Sequence, residues 1–133
     1  MVCGRAGMVG YATMKVAEFL LSLRDEPPWE QVAEINVASS DISGDTPLHW
    51  ALWRKDEEAA VGLIQAGAEI EARGEEGYRP LHVAIANECV ASIGLLNERG
   101  VDWNATTEIG LSALEDAASS ENALVRAFAG RVQ

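Results

Sequence analysis

Two histidines, His49 and His82, are the residues best placed by type for proton transfer or metal ligation, since imidazole titrates near neutrality and binds transition metals. Around them lie runs of carboxylates: Asp56-Glu57-Glu58, Glu75-Glu76 and Glu115-Asp116. Paired carboxylates could share general acid and base roles, and clustered ones could hold a hard cation. Spacing argues against both. Adjacent residues on a helix point about 100° apart and do not converge on one substrate, and none of these runs has EF-hand spacing. Cys3 and Cys89 offer no C-x-x-C pair, and two cysteines so far apart suggest no disulfide framework. A G-x-S-x-G elbow, an H-E-x-x-H pair and a phosphate-cradling glycine loop are all absent from the sequence. We therefore expect no catalytic residues, no cofactor and no metal site, and look for binding instead.

The histidines themselves belong to a larger pattern. Asp41 to Ala51 reads D-I-S-G-D-T-P-L-H-W-A. Gly44 supplies a residue able to take positive φ at a tight turn. Thr46-Pro47 then opens a helix, the hydroxyl accepting an orphan N–H and the proline sitting at N1, where its missing N–H costs nothing. Leu48 and Ala51 share one face of that helix. Gly77, Pro80, Leu81, His82 and Ala84 follow Gly44, Pro47, Leu48, His49 and Ala51 at one constant spacing. Gly110, Leu114 and Ala117 continue the same register, with Ser112-Ala113 in place of Thr-Pro and Glu115 in place of the histidine.

T-P-L-H-x-A recurring at a period of about 33 resembles the ankyrin repeat. Leu63-Ile64-Gln65-Ala66-Gly67-Ala68-Glu69-Ile70 is similar to the family's L-L-x-x-G-A-D-V, and Gly100 falls one such period after Gly67. The resemblance covers roughly Asp41 to Ala129. It implies an all-α solenoid of paired antiparallel helices with hairpin-like turns, in which Thr46, Pro47, Leu48, His49, Ala51, Pro80, Leu81, His82 and Ala84 are structural. Each histidine ring would bond the backbone of a neighbouring turn.

In chain order, residues 1–12 read as a flexible extension, and the residues before Met14 as a start-site extension or expression remnant. Residues 13–40 form a helical N-terminal cap. Thr13 caps a helix through Arg24 with Val16, Phe19, Leu20 and Leu23 as its apolar stripe; Pro28 opens a second, shorter helix. Repeat one spans 41–73, repeat two 74–106, and a degenerate C-terminal repeat or cap 107–133. In repeat one, a helix from Pro47 to Arg54 turns at Lys55-Asp56 into a second ending near Ala66, with Ala59, Leu63 and Ile64 inward and Gly67 as C′. Two departures are expected in repeat two. Arg79 replaces the Thr46 cap, and Leu95-Leu96 stands one residue further from its glycine than Leu63-Ile64 does, so the second helix should be rotated or end differently. The last helix, Glu121 to Ala129, would bury Leu124, Val125 and Phe128.

Of 133 residues, 21 are Asp or Glu and 10 Lys or Arg, a net charge of −11 that repels nucleic acid and anionic lipid. No run of about 18 apolar residues is available to span a bilayer, and no secretory signal is evident. These features, with unpaired cysteines, lead us to expect a monomeric cytoplasmic protein whose partner is another protein, with a basic surface. Groove positions carried over from the family are Ile42, Ser43, Asp45, Trp53 and Arg54 from repeat one. Repeat two adds Glu75, Glu76, Tyr78, Ala86 and Asn87, and the third repeat Glu108, Ile109 and Leu111. Trp50 is expected to pack inward and Trp29 to anchor the N-terminal cap, while Trp103 could serve either packing or binding. The small acidic module could be a dedicated inhibitor or immunity-type protein for a basic enzyme such as a nuclease toxin, or a general adaptor.

Overall fold

A computed structural model describes residues 16–24, 29, 35–36, 39–41 and 44–132. Expectations resting on Thr13, Pro28, Ile42 and Ser43 lie outside those residues. Helix α1 covers 16–23 and buries Val16, Phe19 and Leu23 along the stripe anticipated for it. The repeats contribute α2 (Pro47–Trp53), α3 (Glu57–Gln65), α4 (Pro80–Ala86), α5 (Val90–Glu98), α6 (Ala113–Ala118) and α7 (Ala123–Val132). The helices pair as α2 with α3, α4 with α5, and α6 with α7. The pairs stack into two rows, α2–α4–α6 and α3–α5–α7. The core runs between the rows and is built from Leu48, Leu52, Leu63, Ile64, Leu81, Ile93 and Leu96, all fully buried.

Local chemistry sets where each helix starts. Thr46 Oγ1 accepts from the His49 amide at 3.4 Å, Asp56 Oδ1 from Ala59 at 3.1 Å and Ser112 Oγ from Glu115 at 3.1 Å. Asn122 Oδ1 serves α7 by accepting from the Leu124 amide at 2.9 Å. Each satisfies a donor that the first helical turn leaves unpaired. Arg79 has no acceptor atom and makes no such bond, as anticipated from the replacement of threonine. The turns that precede α2, α4 and α6 repeat one closed geometry. The Asp41, Gly74 and Thr107 amides donate to the carbonyls of Asp45, Tyr78 and Leu111, at 2.8–2.9 Å. Gly44, Gly77 and Gly110 take φ of +90°, +76° and +88° inside them.

The second helix of repeat two does not end differently. Both bounds of α5 lie one full period beyond those of α3, and Gly100 follows it at φ +79° as Gly67 follows α3 at +98°. Leu96, not Leu95, occupies the place of Leu63. Asn97 stands where Ile64 stood but is exposed, so a polar side chain costs nothing there, and its Oδ1 accepts from Trp103 Nε1 at 2.9 Å. The last helix also differs from expectation. It begins at Ala123, and Leu124 is 62% exposed while Val125 and Ala129 are buried. Trp103 is buried and stacks on Phe128 with centroids 6.4 Å apart, so its role is packing. Trp29 is buried edge-on to Trp50 at 6.3 Å, consistent with an anchoring role.

Candidate interaction surface

The two histidines are fully buried and are used at both ring nitrogens. His49 Nδ1 accepts from the Thr46 amide at 3.1 Å, and Nε2 lies 2.8 Å from the Tyr78 carbonyl in the next repeat. His82 does the same with the Arg79 amide at 3.1 Å and the Ala105 carbonyl at 2.9 Å. These bonds require the neutral ring protonated on Nε2. Burial lowers the pKa of both residues from the ordinary histidine value, only partly offset by the carbonyl partners and, for His49, by Asp45 and Asp41. Such rings stitch consecutive repeats together and have no lone pair left for a substrate. Cys89 is equally occupied by structure: it is buried and its thiol is pushed up to about 11, by burial first and Glu57 second.

What the stitches position is the edge of the stack. Asp45, at the mouth of the first turn, is held from both sides. Its amide donates to Asp41 Oδ1 at 3.1 Å, and its own Oδ1 accepts from the Glu75 amide at 2.9 Å. That second bond ties the first turn to the tip of the second, where Glu75–Gly77 form a short 3-10 turn. Gly74 is required here by close approach, because a Cβ would meet the Asp45 carboxylate and His49 Nε2. A third link follows, the Glu108 amide donating to the Glu76 carbonyl at 2.9 Å. Asp45, the second tip and the third turn are therefore linked along one edge.

Trp53, the last residue of α2, is 48% exposed and its ring lies 6.2 Å from that of Tyr78. Together with Asp45, Glu75 and Glu76 they line an open cleft of about 240 Å³. Tyr78 also borders a second cleft of about 450 Å³, whose walls include Ile85, Ala86 and Leu111 with the carboxylates of Glu88, Asp116 and Glu121. No Lys or Arg lines either cleft among the described residues. The two clefts meet at Tyr78 and are lined by apolar patches and carboxylates, while the Arg73 guanidinium lies outside them, beside Gly77 at the second tip.

Most of the anticipated groove positions line these clefts, and some do not. Asp45, Trp53, Glu75, Glu76 and Tyr78 converge on the first cleft, and Ala86 and Leu111 on the second. Glu108 and Ile109 are exposed at the third turn, Ile109 at 72%. Arg54 is turned toward the N-terminal helix. Its guanidinium lies 5.4 Å from the Phe19 ring and 5.6 Å from that of Trp50, and Nη1 donates to Ser22 Oγ at 2.9 Å. Asn87 is half-buried and its side-chain amide donates to the Val83 carbonyl at 3.0 Å, closing α4. Glu88, Asp116 and Glu121 were not among the groove positions expected from the sequence. The period held a signal for Glu121, which stands one period after Glu88 and two after Lys55 at the turn between paired helices.

Comparison with known proteins agrees with this geometry. Residues 43–75 match the family described as ankyrin repeat. NF-kappa-B inhibitor alpha of Sus scrofa is 42% identical over 53 residues, 40% of this chain and 17% of that protein. The Neurogenic locus Notch protein of Drosophila melanogaster is 36% identical over 85 residues, 63% of this chain and 3% of its own length. B-cell lymphoma 3 protein of Homo sapiens is 35% identical over 69 residues, 49% of this chain and 15% of that protein. The chain thus spans less than a fifth of each of these relatives. The turn, the capped inner helix, the histidine stitch and the outer helix recur at the period the match itself covers, and we conclude that the chain has the ankyrin-repeat fold, whose repeats indicate a protein–protein interaction module.

Proposed function

We propose that this protein is a non-enzymatic module that binds a basic protein partner along its concave face and hairpin tips, and inhibits that partner by covering it. The observation that carries this reading is the strip of Asp45, Glu75, Glu76, Glu88, Asp116 and Glu121 around exposed Trp53 and half-buried Tyr78, with no basic residue lining it among the described residues. Interfaces draw their energy from aromatic anchors in desolvated spots and their partner choice from complementary charge. A relative named as an inhibitor, NF-kappa-B inhibitor alpha, supports the inhibitory form. The reading places the protein as a monomer in the reducing cytosol.

The test begins with affinity capture of a partner from cell extract under low salt, followed by titration of the purified pair. We expect affinity to fall steeply as salt rises, because salt shortens the distance over which exposed charges act, from a Debye length of about 10 Å at 0.1 M to about 3 Å at 1 M. Glu75→Lys with Glu76→Lys should weaken binding further, and activity of the partner should fall in proportion to complex formed. Affinity indifferent to salt and to the double charge reversal would refute the electrostatic reading. A partner that binds with full affinity and keeps full activity would make the protein an adaptor instead.

A further inference from the structure

The chain contains four tryptophans, and packing accounts for three of them. Trp29 and Trp103 are buried, and Trp50 is half-buried with Nε1 donating to Asp41 Oδ2 at 2.9 Å. Trp53 remains, 48% exposed at the rim of the first cleft. We propose that this cleft is a socket for a single arginine side chain of the partner, its guanidinium stacked on Trp53 and bonded to the carboxylates of Glu75 and Glu76. The proposal rests on the concave-face reading above and specifies its anchor point.

Three features favour arginine. At about 240 Å³ the cleft falls below the roughly 300–1,000 Å³ typical of cofactor and small-molecule sites, which suits one long side chain. Its lining combines two aromatic rings 6.2 Å apart and tilted by 36° with carboxylates and, among the described residues, no cation. A guanidinium answers both at once, since it is planar, stacks on an indole face and presents a fork of N–H donors to carboxylates. An ammonium is a point charge that holds its water more tightly and cannot stack. Asp45 is already engaged by the Glu75 amide, so it fixes the tip and adds field while Glu75 and Glu76, both exposed, supply the acceptors. The same helix end shows this chemistry internally, where Arg54 lies 5.6 Å from the Trp50 ring.

The experiment is an NMR titration with three short, otherwise identical Gly/Ser peptides carrying one central arginine, lysine or citrulline, watched at the Trp53 indole and Tyr78 resonances. We expect the arginine peptide to move both in a saturable way. Lysine and citrulline should bind about tenfold more weakly, as should arginine to Trp53→Leu, the loss expected for a desolvated cation–aromatic contact. Glu75→Gln with Glu76→Gln tests the fork without reversing charge, and should weaken the arginine peptide while leaving citrulline unaffected. Trp53 is exposed, so Trp53→Leu keeps the fold, and an unchanged thermal transition checks this. A lysine-rich peptide is titrated in parallel at the second cleft. If the three single-residue peptides bind alike, or Trp53 does not respond, the socket is overturned; the concave-face reading then stands if the lysine-rich peptide still shifts the Glu88, Asp116 and Glu121 resonances in a salt-dependent way. If neither cleft responds, both fall.

Discussion

The two inner helices α2 and α4 differ at one N-cap, which makes Arg79→Thr an internal test of the forces that define the repeat. At Thr46 the side-chain oxygen accepts from the His49 amide and sits 2.9 Å from His49 Nδ1. At Arg79 no acceptor exists, while the backbone around it has the same conformation, φ −92° and ψ 164° against −89° and 169°. A threonine placed there should find the same bond, worth about 1 kcal/mol within a range of roughly 0.5–2. The substitution also removes Arg79 Nε, a buried donor without a partner, whose desolvation costs on the order of 1 kcal/mol. Against this stands the ion pair of Arg79 Nη1 with Glu71 Oε1 at 3.3 Å. Its side chains are 25% and 30% exposed, which puts the loss at about 0–1 kcal/mol. Glu71 keeps a second task, accepting from the Asp102 amide at 2.8 Å.

The balance favours threonine by about 1 kcal/mol, which for a domain of this size raises the melting temperature by about 3–5 °C. Urea unfolding followed by circular dichroism would read it as a shift in midpoint at constant slope. Arg79→Ala is the necessary companion: it loses the ion pair and the stranded Nε but gains no cap. The difference between the two variants isolates the cap, and it should match the loss on Thr46→Ala in repeat one. If Arg79→Thr were no more stable than Arg79→Ala, the cap would not explain why threonine stands at Thr46.

Acidification should destabilise the fold before ordinary carboxylates titrate. Both histidine pKa values are lowered in the native state, so the stability they confer is complete above the unfolded value of about 6.5 and is lost as pH falls below it toward the folded values. The slope is at most about 1.4 kcal/mol per pH unit for each proton taken up, or about 2.7 for both, read from denaturation midpoints between about pH 7.5 and 5.5; a flat profile there would contradict the buried neutral rings. Gly74→Ala should cost about 1–3 kcal/mol in the same assay, because the new Cβ meets the Asp45 carboxylate and the His49 ring and must displace them. On the last helix, Leu124→Ser should be neutral within about 0.5 kcal/mol, whereas Val125→Ala should cost on the order of 1–3 kcal/mol. The reverse order would show that α7 presents its other face to α5 and α6.

The repeat was legible because it is written in local terms. A glycine that must take positive φ, a hydroxyl before a proline and a leucine three residues from an alanine are each constrained by the backbone within a few residues. Their recurrence at one fixed period carried the resemblance to the ankyrin repeat, and that resemblance implied the fold, the helix pairs and the structural role of both histidines. Misreadings came where identity was traded between positions. Leu95-Leu96 suggests a shifted helix, yet position 97 is exposed where Ile64 is buried, so Asn97 replaces an apolar residue there without cost and its Oδ1 accepts from the Trp103 indole. Leu124 reads as part of an apolar stripe, but α7 packs through Val125 and Ala129, which leaves Leu124 facing outward.

The interaction surface was legible only in part, for the same reason. Sequence alone determined the period and the helix starts, since both depend on local bonding, and the family resemblance carried Trp53, Tyr78 and the Glu75-Glu76 pair over as groove positions of consecutive repeats. It could not say which of them meet. Stacking one repeat on the next brings Trp53 to Tyr78, draws Asp45 onto the Glu75 amide, and turns Arg54 away from its neighbour toward Phe19 and Trp50. Residues roughly a repeat apart in the chain become contacts through the rotation between repeats, which is set by packing in the core and leaves no trace in any single segment.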